Sequence, residues 1–380
     1  MPRAQMTSRE RILAAIRHEE PDRVPISPRV GAWMVAEYAD GSLARQLEVL
    51  PDMDFMHILG ESTPNYVYSY PQSYDLPGVE VEQSRRDDGD TFIIERTFRT
   101  PAGPISDITR VPPAGREYGV SPNPVKIEHL VKSHDDLPAL ERILPPVRMN
   151  ADSVRACQEQ LGDRGVVMVN VRSALDHHAG DARGMENLMI DYHVDRPLFD
   201  AVMDIFHQRS IAQARAALEA GTEFIFGSWY YNSLSSGWSP AIFAEVFVPQ
   251  IREHVELTHS YGALYDYYDD GKLAQSMELI AGCGVDVLET CTPPPVGDFD
   301  LATAKRTIGE RVTLKGWVDL LYVVKHGTPE LVERTVREGM EIARPGGGFI
   351  IGSSDSFREG TPRANIDAYF RACKRYGVYD

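Results

Sequence analysis

The chain has few cysteines and no long apolar segment. It contains 4 cysteines in 380 residues, and no two of them have CxxC spacing. This usage is typical of the reducing cytosol and argues against a disulfide scaffold. No run reaches the roughly 18 uninterrupted apolar residues of a membrane helix, and the first residues lack the apolar core of a signal peptide. We therefore expect a cytoplasmic protein that does not bind membranes.

Positive charge is also scarce. There are 39 lysines and arginines against 56 aspartates and glutamates, which gives a formal net charge of -17. Nucleic acids and anionic membranes are bound by clustered positive charge, so neither is an expected partner. A local basic pocket for an anionic small molecule is compatible with this balance. No GxGxxG follows a predicted strand, which argues against a dinucleotide site.

What the sequence does contain is a regular alternation of strands and helices. Its apolar fraction of 43% and charged fraction of 25% are those of a globular protein with a sizeable core. The predicted strands are 24–30, 55–59, 165–171, 224–229, 264–268, 285–289, 312–317 and 349–351. Alternating strands and helices predict a parallel sheet, and eight strands closing on themselves predict a (β/α)₈ TIM barrel of the α/β class. A doubly wound open sheet is the alternative fold.

One region has a different texture. Residues 91–110 alternate apolar and polar side chains around a Pro-Ala-Gly-Pro turn, which predicts an antiparallel hairpin. We expect a single domain over residues 1–380, with a β insertion at about residues 80–120. The first helix is predicted at residues 8–17. Thr361 is predicted to cap the last helix, with Pro362 in its first turn.

Polar side chains gather where the predicted strands end. Because a barrel presents its substrate site at the carboxyl ends of its strands, these side chains are the candidate functional residues. The predicted catalytic carboxylates are Asp270, Glu289 and Asp355, as general acid and base or as oxygen ligands of a metal. The predicted substrate-binding residues are Arg29, Arg172, His178, Trp229, Tyr230, Tyr268, Lys315 and Arg358. A cap on a helix starting near Lys272 is the alternative role for Asp270, and a turn-stabilising role is the alternative for Asp355.

Long segments of the chain resemble one enzyme superfamily. The opening RERILAAIRHEEPDRVPI and the ending GGGFIIGSSDSFREGTPRANIDAYFRACKRYG resemble proteins of the uroporphyrinogen decarboxylase superfamily. DGKLAQSMELIAGCGVDVLE and the segment from KGWVDLLYVVKHG onward look like its final barrel units. The resemblance implies a (β/α)₈ barrel and a homodimer. It also implies one of two chemistries, porphyrinogen decarboxylation or methyl transfer to or from corrinoid proteins.

The decarboxylase branch matches this chain poorly. Its arginine-rich turn, an RQAGR-like run, corresponds here to SPRVGAW, which keeps only Arg29. Its catalytic aspartate, in an FSDI-like motif, corresponds to HILGEST, where Glu61 is the acidic residue. A macrocycle with eight carboxylates needs several cationic donors in one cleft. We therefore do not expect uroporphyrinogen itself to be the substrate.

The methyltransferase branch matches better, apart from its metal ligands. Those enzymes hold zinc with a His-x-Cys pair and a late cysteine, and the matching positions here are Tyr268, Asp270 and Asp355. A zinc site of that form is therefore not expected. The resemblance leaves a divalent metal, such as zinc, on the oxygens of Asp270, Glu289 and Asp355 as the metal prediction.

The predicted function is methyl transfer between a small methylated or methoxylated organic substrate and a corrinoid. The corrinoid is expected as free cobalamin or on a corrinoid protein. Two alternatives stay open from the sequence. One is a decarboxylase acting on a porphyrinogen-like or smaller carboxylic acid, and the other is a non-catalytic ligand-binding barrel.

Overall fold

The structure of the chain is a computed structural model that describes residues 5–60, 76–113 and 124–379. It divides into two compact units, which we describe separately. The parallel unit comprises Met1–Gly60, Asn150–Val171 and Ala214–Asp380, and the antiparallel unit comprises Glu61–Met149 and Arg172–Gln213. The prediction of one domain over the whole chain stays a prediction.

The strands of both units are numbered together in chain order. They are β1 (Phe55–Leu59), β2 (Glu80–Asp88), β3 (Thr91–Thr100), β4 (Gly103–Val111), β5 (Val125–Glu128), β6 (Gly165–Arg172), β7 (Phe224–Ser228), β8 (Leu264–Tyr268), β9 (Val287–Thr290), β10 (Thr313–Val318) and β11 (Phe349–Ser353). Seven of them form a parallel sheet in the order β1-β6-β7-β8-β9-β10-β11. This order confirms a parallel α/β architecture with seven of the eight predicted strands.

The sequence predicts an eighth strand over residues 24–30, and the predicted length is wrong. The structure has only a single parallel bridge there, between Ile26 and Ile351. Ser27 N donates to Ile351 O at 2.9 Å, and Ile351 N donates to Pro25 O at 3.0 Å. Pro25 and Pro28 have no N–H to donate, so this segment is unable to extend a regular ladder. A complete eight-stranded barrel is therefore not confirmed.

Helices follow most of the parallel strands, as the sequence predicts. Helices α1 to α14 are Ser8–Ile16, Gly31–Tyr38, Leu43–Val49, Leu137–Ile143, Ala151–Leu161, Gly180–Arg183, Met185–Val194, Arg196–Glu219, Pro240–Ile242, Val248–Ser260, Met277–Ala281, Leu301–Thr307, Pro329–Ala343 and Arg363–Tyr376. Single π-helical turns occupy Leu175–Ala179, Phe243–Phe247 and Leu320–Lys325. No helix in the described ranges is both long enough and apolar enough to cross a membrane.

The sequence predicts two helix starts incorrectly. α11 begins at Met277 rather than near Lys272, because Asp298 accepts hydrogen bonds from the backbone of Leu273 and Ala274 and holds this stretch outside a helix. The cap of α14 is Pro362, with no side-chain cap, since the Thr361 hydroxyl donates backward to Arg358 O at 2.8 Å. The start of α1 is as expected, with Thr7 and Glu10 forming a capping box.

The antiparallel unit contains the predicted hairpin. β3 and β4 pair from Phe92 opposite Val111 to Thr100 opposite Gly103, so the Pro-Ala turn joins them. The sheet is wider than predicted, with the order β2-β3-β4-β5. β2 forms one edge of this sheet, and all of its residues are exposed. Charged side chains along such an edge discourage pairing with other chains.

The core of the parallel unit lies on the inner face of its curled sheet. Ile12, Ala15 and Ile16 of α1 pack there against residues of six strands. These strand residues are Met56, Val166, Met168, Phe224, Phe226, Tyr268, Val287 and Ile350. Because side chains alternate along a strand, Asp266 and Glu289 lie on this same face, two residues from Tyr268 and Val287.

Candidate active site

Three ionisable residues meet on adjacent strands inside the sheet. Lys315 on β10 lies opposite Glu289 on β9, and its Nζ is 2.7 Å from Glu289 Oε2. Asp266 on β8 is the diagonal neighbour of Glu289, since β8 pairs with β9 through Tyr268 and Glu289. All three side chains are buried, with relative exposures of 0% to 2%. Burial of this degree makes the protonation of each group depend on its neighbours.

A close approach of the backbone makes this meeting possible. Gly316 follows Lys315 with φ +120°, and a Cβ added there would lie 1.8 Å from Thr290 O. Only glycine accepts both that backbone angle and that contact. The residue after Lys315 therefore has to be glycine for β10 to approach β9 where the ion pair forms.

The two carboxyls of the cluster hold their protons very differently. Burial and the facing Glu289 carboxylate raise the pKa of Asp266 well above its usual value. Burial alone would also raise the pKa of Glu289, but the Lys315 and Arg29 charges lower it below its usual value. Two like charges this close in a buried site do not both ionise. At neutral pH, Glu289 is the carboxylate and Asp266 is the neutral acid.

Arg29 approaches the same cluster from the segment before α2. Its guanidinium carbon lies 4.3 Å from the centre of the Tyr268 ring and 5.3 Å from that of Phe226. Phe357 N donates to Arg29 O at 2.8 Å, which fixes the backbone at this point. Arg29 Nη1 is buried and has no hydrogen-bond acceptor among the described residues. A buried donor is costly unless water or a ligand atom accepts from it.

Asp270 lies just beyond the end of β8 and is held by Tyr268. The Tyr268 hydroxyl donates to Asp270 Oδ2 at 3.0 Å. Burial, together with the charge of Asp355, raises the pKa of Asp270 to about 6. A carboxylic acid with this pKa is half protonated near the acidic side of neutrality, which suits a general acid or base. The predicted role of Asp270 as a helix cap is wrong, because the chain forms a turn here. In this turn Asp269 Oδ1 accepts from Gly271 N at 2.8 Å.

Asp355 and Arg358 lie together in the turn after β11. Arg358 donates to Asp355 Oδ2, and Ser356 N donates to Asp355 Oδ1 at 2.5 Å. Half of the Arg358 side chain is exposed, whereas Asp355 is mostly buried. Asp355 therefore has a cation of its own, and its charge also reaches Arg29 and Asp270.

A cavity of about 270 Å³ opens beside the cluster. Arg29 and Lys315 both line it, together with His57 and Ser356. Its apolar wall is formed by Val30, Met53, Phe55, Met56 and Ile58. Burial lowers the pKa of His57, so this imidazole is neutral at physiological pH. The lining of the cavity thus includes both two cations and apolar side chains.

Two predicted aromatic residues have different surroundings. Trp229 is fully buried, with Nε1 donating to Tyr265 Oη at 2.8 Å and its ring stacked 5.9 Å from that of Tyr267. Tyr230 is 43% exposed and contacts the ring of Tyr231 edge-on. The substrate contacts predicted for Trp229 and Tyr230 stay predictions, with Trp229 placed in the core.

Two further predicted residues belong to the antiparallel unit. His178 is buried and its ring stacks on Phe206 at 5.8 Å. Arg172 ends β6, and its carbonyl oxygen accepts from Ser210 Oγ. Glu61, the acidic residue that matches the decarboxylase motif, lies outside the described residues. The roles predicted for Arg172 and His178 stay predictions.

Sequence reasoning missed two residues of the site. Asp266 lies inside an apolar strand, where the sequence draws attention to the later Asp269 and Asp270. His57 lies in the middle of β1 and lines the cavity. The available signal was strand periodicity, because Asp266 stands two residues before Tyr268 and two after Leu264 on one face.

The three predicted metal ligands do not fit a metal ion. No group of three His, Cys, Asp or Glu side chains among the described residues converges as metal ligands do. Asp270 accepts from Tyr268, Glu289 is paired with Lys315, and Asp355 is paired with Arg358. Each carboxylate is thus held by its own protein donor. We assign no chemical step to a metal.

The sequence matches one protein family over most of its length. The family model described as "Uroporphyrinogen decarboxylase (URO-D)" matches residues 102–376. The chain belongs to the uroporphyrinogen decarboxylase family. This membership confirms the predicted superfamily. No curated protein matches the sequence.

Solved structures resemble this one at low sequence identity. A methyltransferase from Methanosarcina mazei is 16% identical, covers 98% of this chain and 99% of its own, and has a TM-score of 0.63. B12-independent methionine synthases from Shewanella sp. W3-18-1 and Listeria monocytogenes are 10% and 13% identical and cover 61% of this chain. These two matches cover 67% and 72% of the methionine synthase chains, each with a TM-score of 0.41. The similarity to the Methanosarcina methyltransferase supports a shared fold, and the similarities to the two synthases are too weak to interpret.

Proposed function

We propose that this protein is a methyltransferase that moves a methyl group between a small methylated or methoxylated organic molecule and a corrinoid. Family membership and the fold likeness to a methyltransferase over 98% of this chain support the reaction class. The observation that carries the proposal is the acid Asp270, just beyond the carboxyl end of β8 and close enough to Arg29 for that charge to act on its pKa. Reduced corrinoid supplies the nucleophile in this reaction.

Asp270 is proposed to act on the leaving heteroatom. The bond between the methyl carbon and the heteroatom breaks, and the methyl carbon forms its new bond to the acceptor. The electron pair stays on the heteroatom, which takes a proton from Asp270. Such proton transfer from a positioned side chain contributes about 10² to 10⁴ in rate. The Tyr268 hydroxyl holds Asp270 in place by donating to its other oxygen.

The pH dependence of this step has a definite sign. The pKa of Asp270 is raised to about 6, so the acid form predominates below that pH. Heteroatom cleavage is therefore expected to slow as the pH rises through about 6. In the reverse direction, methylation of the heteroatom, the ionised form is the base and the dependence is opposite.

A direct assay tests the proposed reaction. The purified chain is incubated with cob(I)alamin and a panel of methoxylated and methylated small molecules, and the methylated corrinoid is followed by its absorbance. Transfer from at least one donor, lost in Asp270→Asn, is the expected result. Absence of transfer from every donor, together with release of carbon dioxide from a carboxylic acid, would contradict it.

Decarboxylation of a small carboxylic acid is the second candidate. The neutral acid Asp266, buried among Glu289, Lys315 and Arg29, is the observation that favours it, because a carbanion left by loss of carbon dioxide needs a proton donor. The cavity bounded by described residues has a volume of about 270 Å³, near the lower end of small-molecule sites. A non-catalytic ligand-binding barrel predicts binding without either reaction.

Closure of the barrel is part of the same proposal. Hydrogen bonds on both sides of Ile26 support a closed barrel, since Ser27 N reaches Ile351 O and Asp54 N reaches Ile26 O at 2.8 Å. We propose that this segment takes the place of the eighth strand between β11 and β1. A homodimer, a corrinoid protein partner and a cytoplasmic location stay predictions.

A further inference from the structure

The regular course of β10 breaks just after Lys315. Gly316 has φ +120° and Trp317 has φ +82°. A left-handed φ is an outlier for a residue as bulky as tryptophan. Such outliers persist only where the surrounding structure holds them, and they concentrate at active sites. The distortion therefore has a structural cause near Trp317, and its consequence is the position of the indole ring.

The distortion turns the indole ring away from the inner face of the sheet. Side chains two residues apart in a regular strand share a face, so Trp317 would follow Lys315 onto the inner face. Its ring packs instead against α13, the helix that follows β10. A Cβ added at Gly339 of this helix would lie 3.0 Å from Trp317 Cε3, so a glycine at this point gives the ring its place.

The inner face of the sheet is built in layers of side chains from adjacent strands. Lys315 on β10 lies between Glu289 on β9 and Ile350 on β11, and these three residues form one layer. In a regular sheet the next layer toward the carboxyl ends is formed two residues further along each strand. The residues at these positions are Cys291, Trp317 and Gly352.

None of these three residues places a large side chain in the layer. The Trp317 ring is turned outward, and Gly352 has no side chain. Cys291 also has a left-handed φ, +56°, and its thiol turns back to donate to Leu288 O at 3.3 Å. Protein interiors are close-packed, so a layer that three adjacent strands leave without a large side chain offers a place for a ligand.

The same layer contains the proposed acid. Tyr268 on β8 lies opposite Glu289, and Asp270 follows two residues later. The Tyr268 hydroxyl donates to Asp270 Oδ2, which places the two side chains on the same side of the chain. Asp270 therefore lies at the level of Trp317. An indole ring turned inward at Trp317 would compete with a substrate for the space beside the acid.

We propose that Trp317 is a positioning residue whose outward ring keeps this layer open, and that an aromatic ring of the substrate, no larger than indole, occupies it beside Asp270. The size follows from the side chain that a regular strand would place there. The flat shape follows from the backbones of Gly316 and Gly352, since a Cβ added at Gly352 would lie only 3.2 Å from Gly316 Cα. Glycine backbone lets a planar ring approach closely. The statement that this ring belongs to the substrate rests on the proposed function.

Two substitutions of Trp317 separate the backbone conformation from the ring. Asparagine tolerates a left-handed φ, whereas valine, which is of similar size, does not. Trp317→Val is expected to return the strand to its regular course and to place a side chain in the layer. The probe is 2-naphthol, the demethylated form of 2-methoxynaphthalene, whose binding to the full chain is followed by its fluorescence. Trp317→Val is expected to weaken this binding about tenfold or more, and Trp317→Asn is expected to recover most of the loss.

A second pair of variants moves the ring from its place on α13. Gly339→Leu fills that place and is expected to push the ring into the layer, which weakens 2-naphthol binding. Removal of the ring in the double variant, Gly339→Leu with Trp317→Gly, is expected to restore the binding. A purely structural role of Trp317 predicts a further loss in the double variant. Thermal melting shows which variants are folded, and the comparison of Trp317→Asn with Trp317→Val decides the matter if the double variant does not fold.

Ring size tests the class of ligand. Phenol and 2-naphthol are expected to bind to the wild type, whereas 1-hydroxypyrene, which is larger than indole, is not. Absence of binding by both phenol and 2-naphthol, equal binding of 2-naphthol and 1-hydroxypyrene, or equal losses in Trp317→Asn and Trp317→Val would each overturn the inference.

The methyl transfer assay separates this inference from the proposed function. Trp317→Val is expected to raise KM for 2-methoxynaphthalene with little change in kcat, because Asp270 is retained. Binding of 2-naphthol with the variant effects described above, but without methyl transfer from any donor, would refute the proposed function and leave the ring site standing.

Discussion

Two clusters of buried charge, one in each unit, differ in the partners of their carboxyl groups. In the antiparallel sheet, Asp107 accepts from Arg96 Nε at 2.8 Å and from Arg96 Nη2, and Lys126 donates to the same carboxylate. In the parallel sheet, Asp266 shares a hydrogen bond with Glu289, a second carboxyl group. The Asp107 carboxylate is thus held by two cations, whereas Asp266 faces another acid.

The difference separates a structural charge from a functional one. Burial alone would raise the pKa of Asp107, but hydrogen bonds from Arg96 and the charge of Lys126 lower it below its usual value. Asp266 shows the opposite result, because burial and the charge of Glu289 raise its pKa. The first arrangement stabilises the folded state, and the second adds no such stability. Buried acids with pKa values raised in this way concentrate at active sites.

The largest expected effect is on the Asp107 cluster. Asp107→Ala leaves two cations buried without their carboxylate and is expected to cost about 3 to 5 kcal/mol of unfolding free energy. Chemical denaturation measures this loss. Glu82→Ala is the control, since its pair with Arg99 is more than half exposed and is screened by solvent. Equal losses in the two variants would show that the Asp107 cluster is not structural.

The Asp107 cluster also has a pH signature. Because the folded pKa lies below the usual 3.8, the stability it contributes is fully present above that pH and is lost as the pH falls through the folded value. Acid titration of the melting temperature is expected to show a steeper decline in the wild type than in Asp107→Asn. Parallel acid curves would contradict the assignment.

The next effect is on activity at Asp270. Asp270→Asn keeps an oxygen that accepts from Tyr268 but has no proton to give, so methyl transfer is expected to fall by about 10² to 10⁴. The decline of the wild-type rate through about pH 6 should be absent from the residual activity of the variant. A residual rate that keeps the wild-type pH profile would remove Asp270 from the proposed step.

Asp270 affects stability in the direction opposite to Asp107. Its pKa rises from 3.8 to about 6 on folding, so the folded state binds the proton more tightly. The stability that this proton contributes is present at acidic pH and is lost as the pH rises from about 4 to about 6. Asp270→Asn should therefore melt higher than the wild type at neutral pH.

A smaller effect distinguishes the two carboxyls of the parallel sheet. Glu289→Gln leaves Lys315 buried without its counter-charge and is expected to cost about 3 kcal/mol. Asp266→Asn replaces a neutral acid by a neutral amide of the same shape and should cost less than about 1 kcal/mol. Unfolding free energies at neutral pH make the comparison. The reverse order would place the proton on Glu289.

The smallest effect concerns the hydroxyl that holds Asp270. The hydrogen bond from Tyr268 lowers the pKa of Asp270, so Tyr268→Phe should raise that pKa further above 6. The rate of heteroatom cleavage should then decline at a higher pH than in the wild type, with only a modest change in its maximum. An unchanged profile would show that this hydrogen bond is absent in solution.

The sequence predicts some residues of the site and misses others, for physical reasons. Glu289 and Lys315 stand out because charged residues in apolar strands are hard to explain by packing. Asp266 does not stand out, because its importance depends on the neighbouring strand that faces it. The helix predicted near Lys272 fails because the hydrogen bonds from Leu273 and Ala274 to Asp298 join residues far apart in the chain.

The amino-acid sequence alone is enough to identify the family. It also predicts the parallel α/β architecture and the hairpin at Thr91–Thr100 and Gly103–Val111, because these depend on local periodicity and turn chemistry. Which charges are paired depends on the tertiary structure. The register of β8, β9 and β10 brings Asp266, Glu289 and Lys315 together, and burial then fixes which of them carries a proton. Protonation in a buried site depends on neighbours in space, and adjacency along the chain does not specify them.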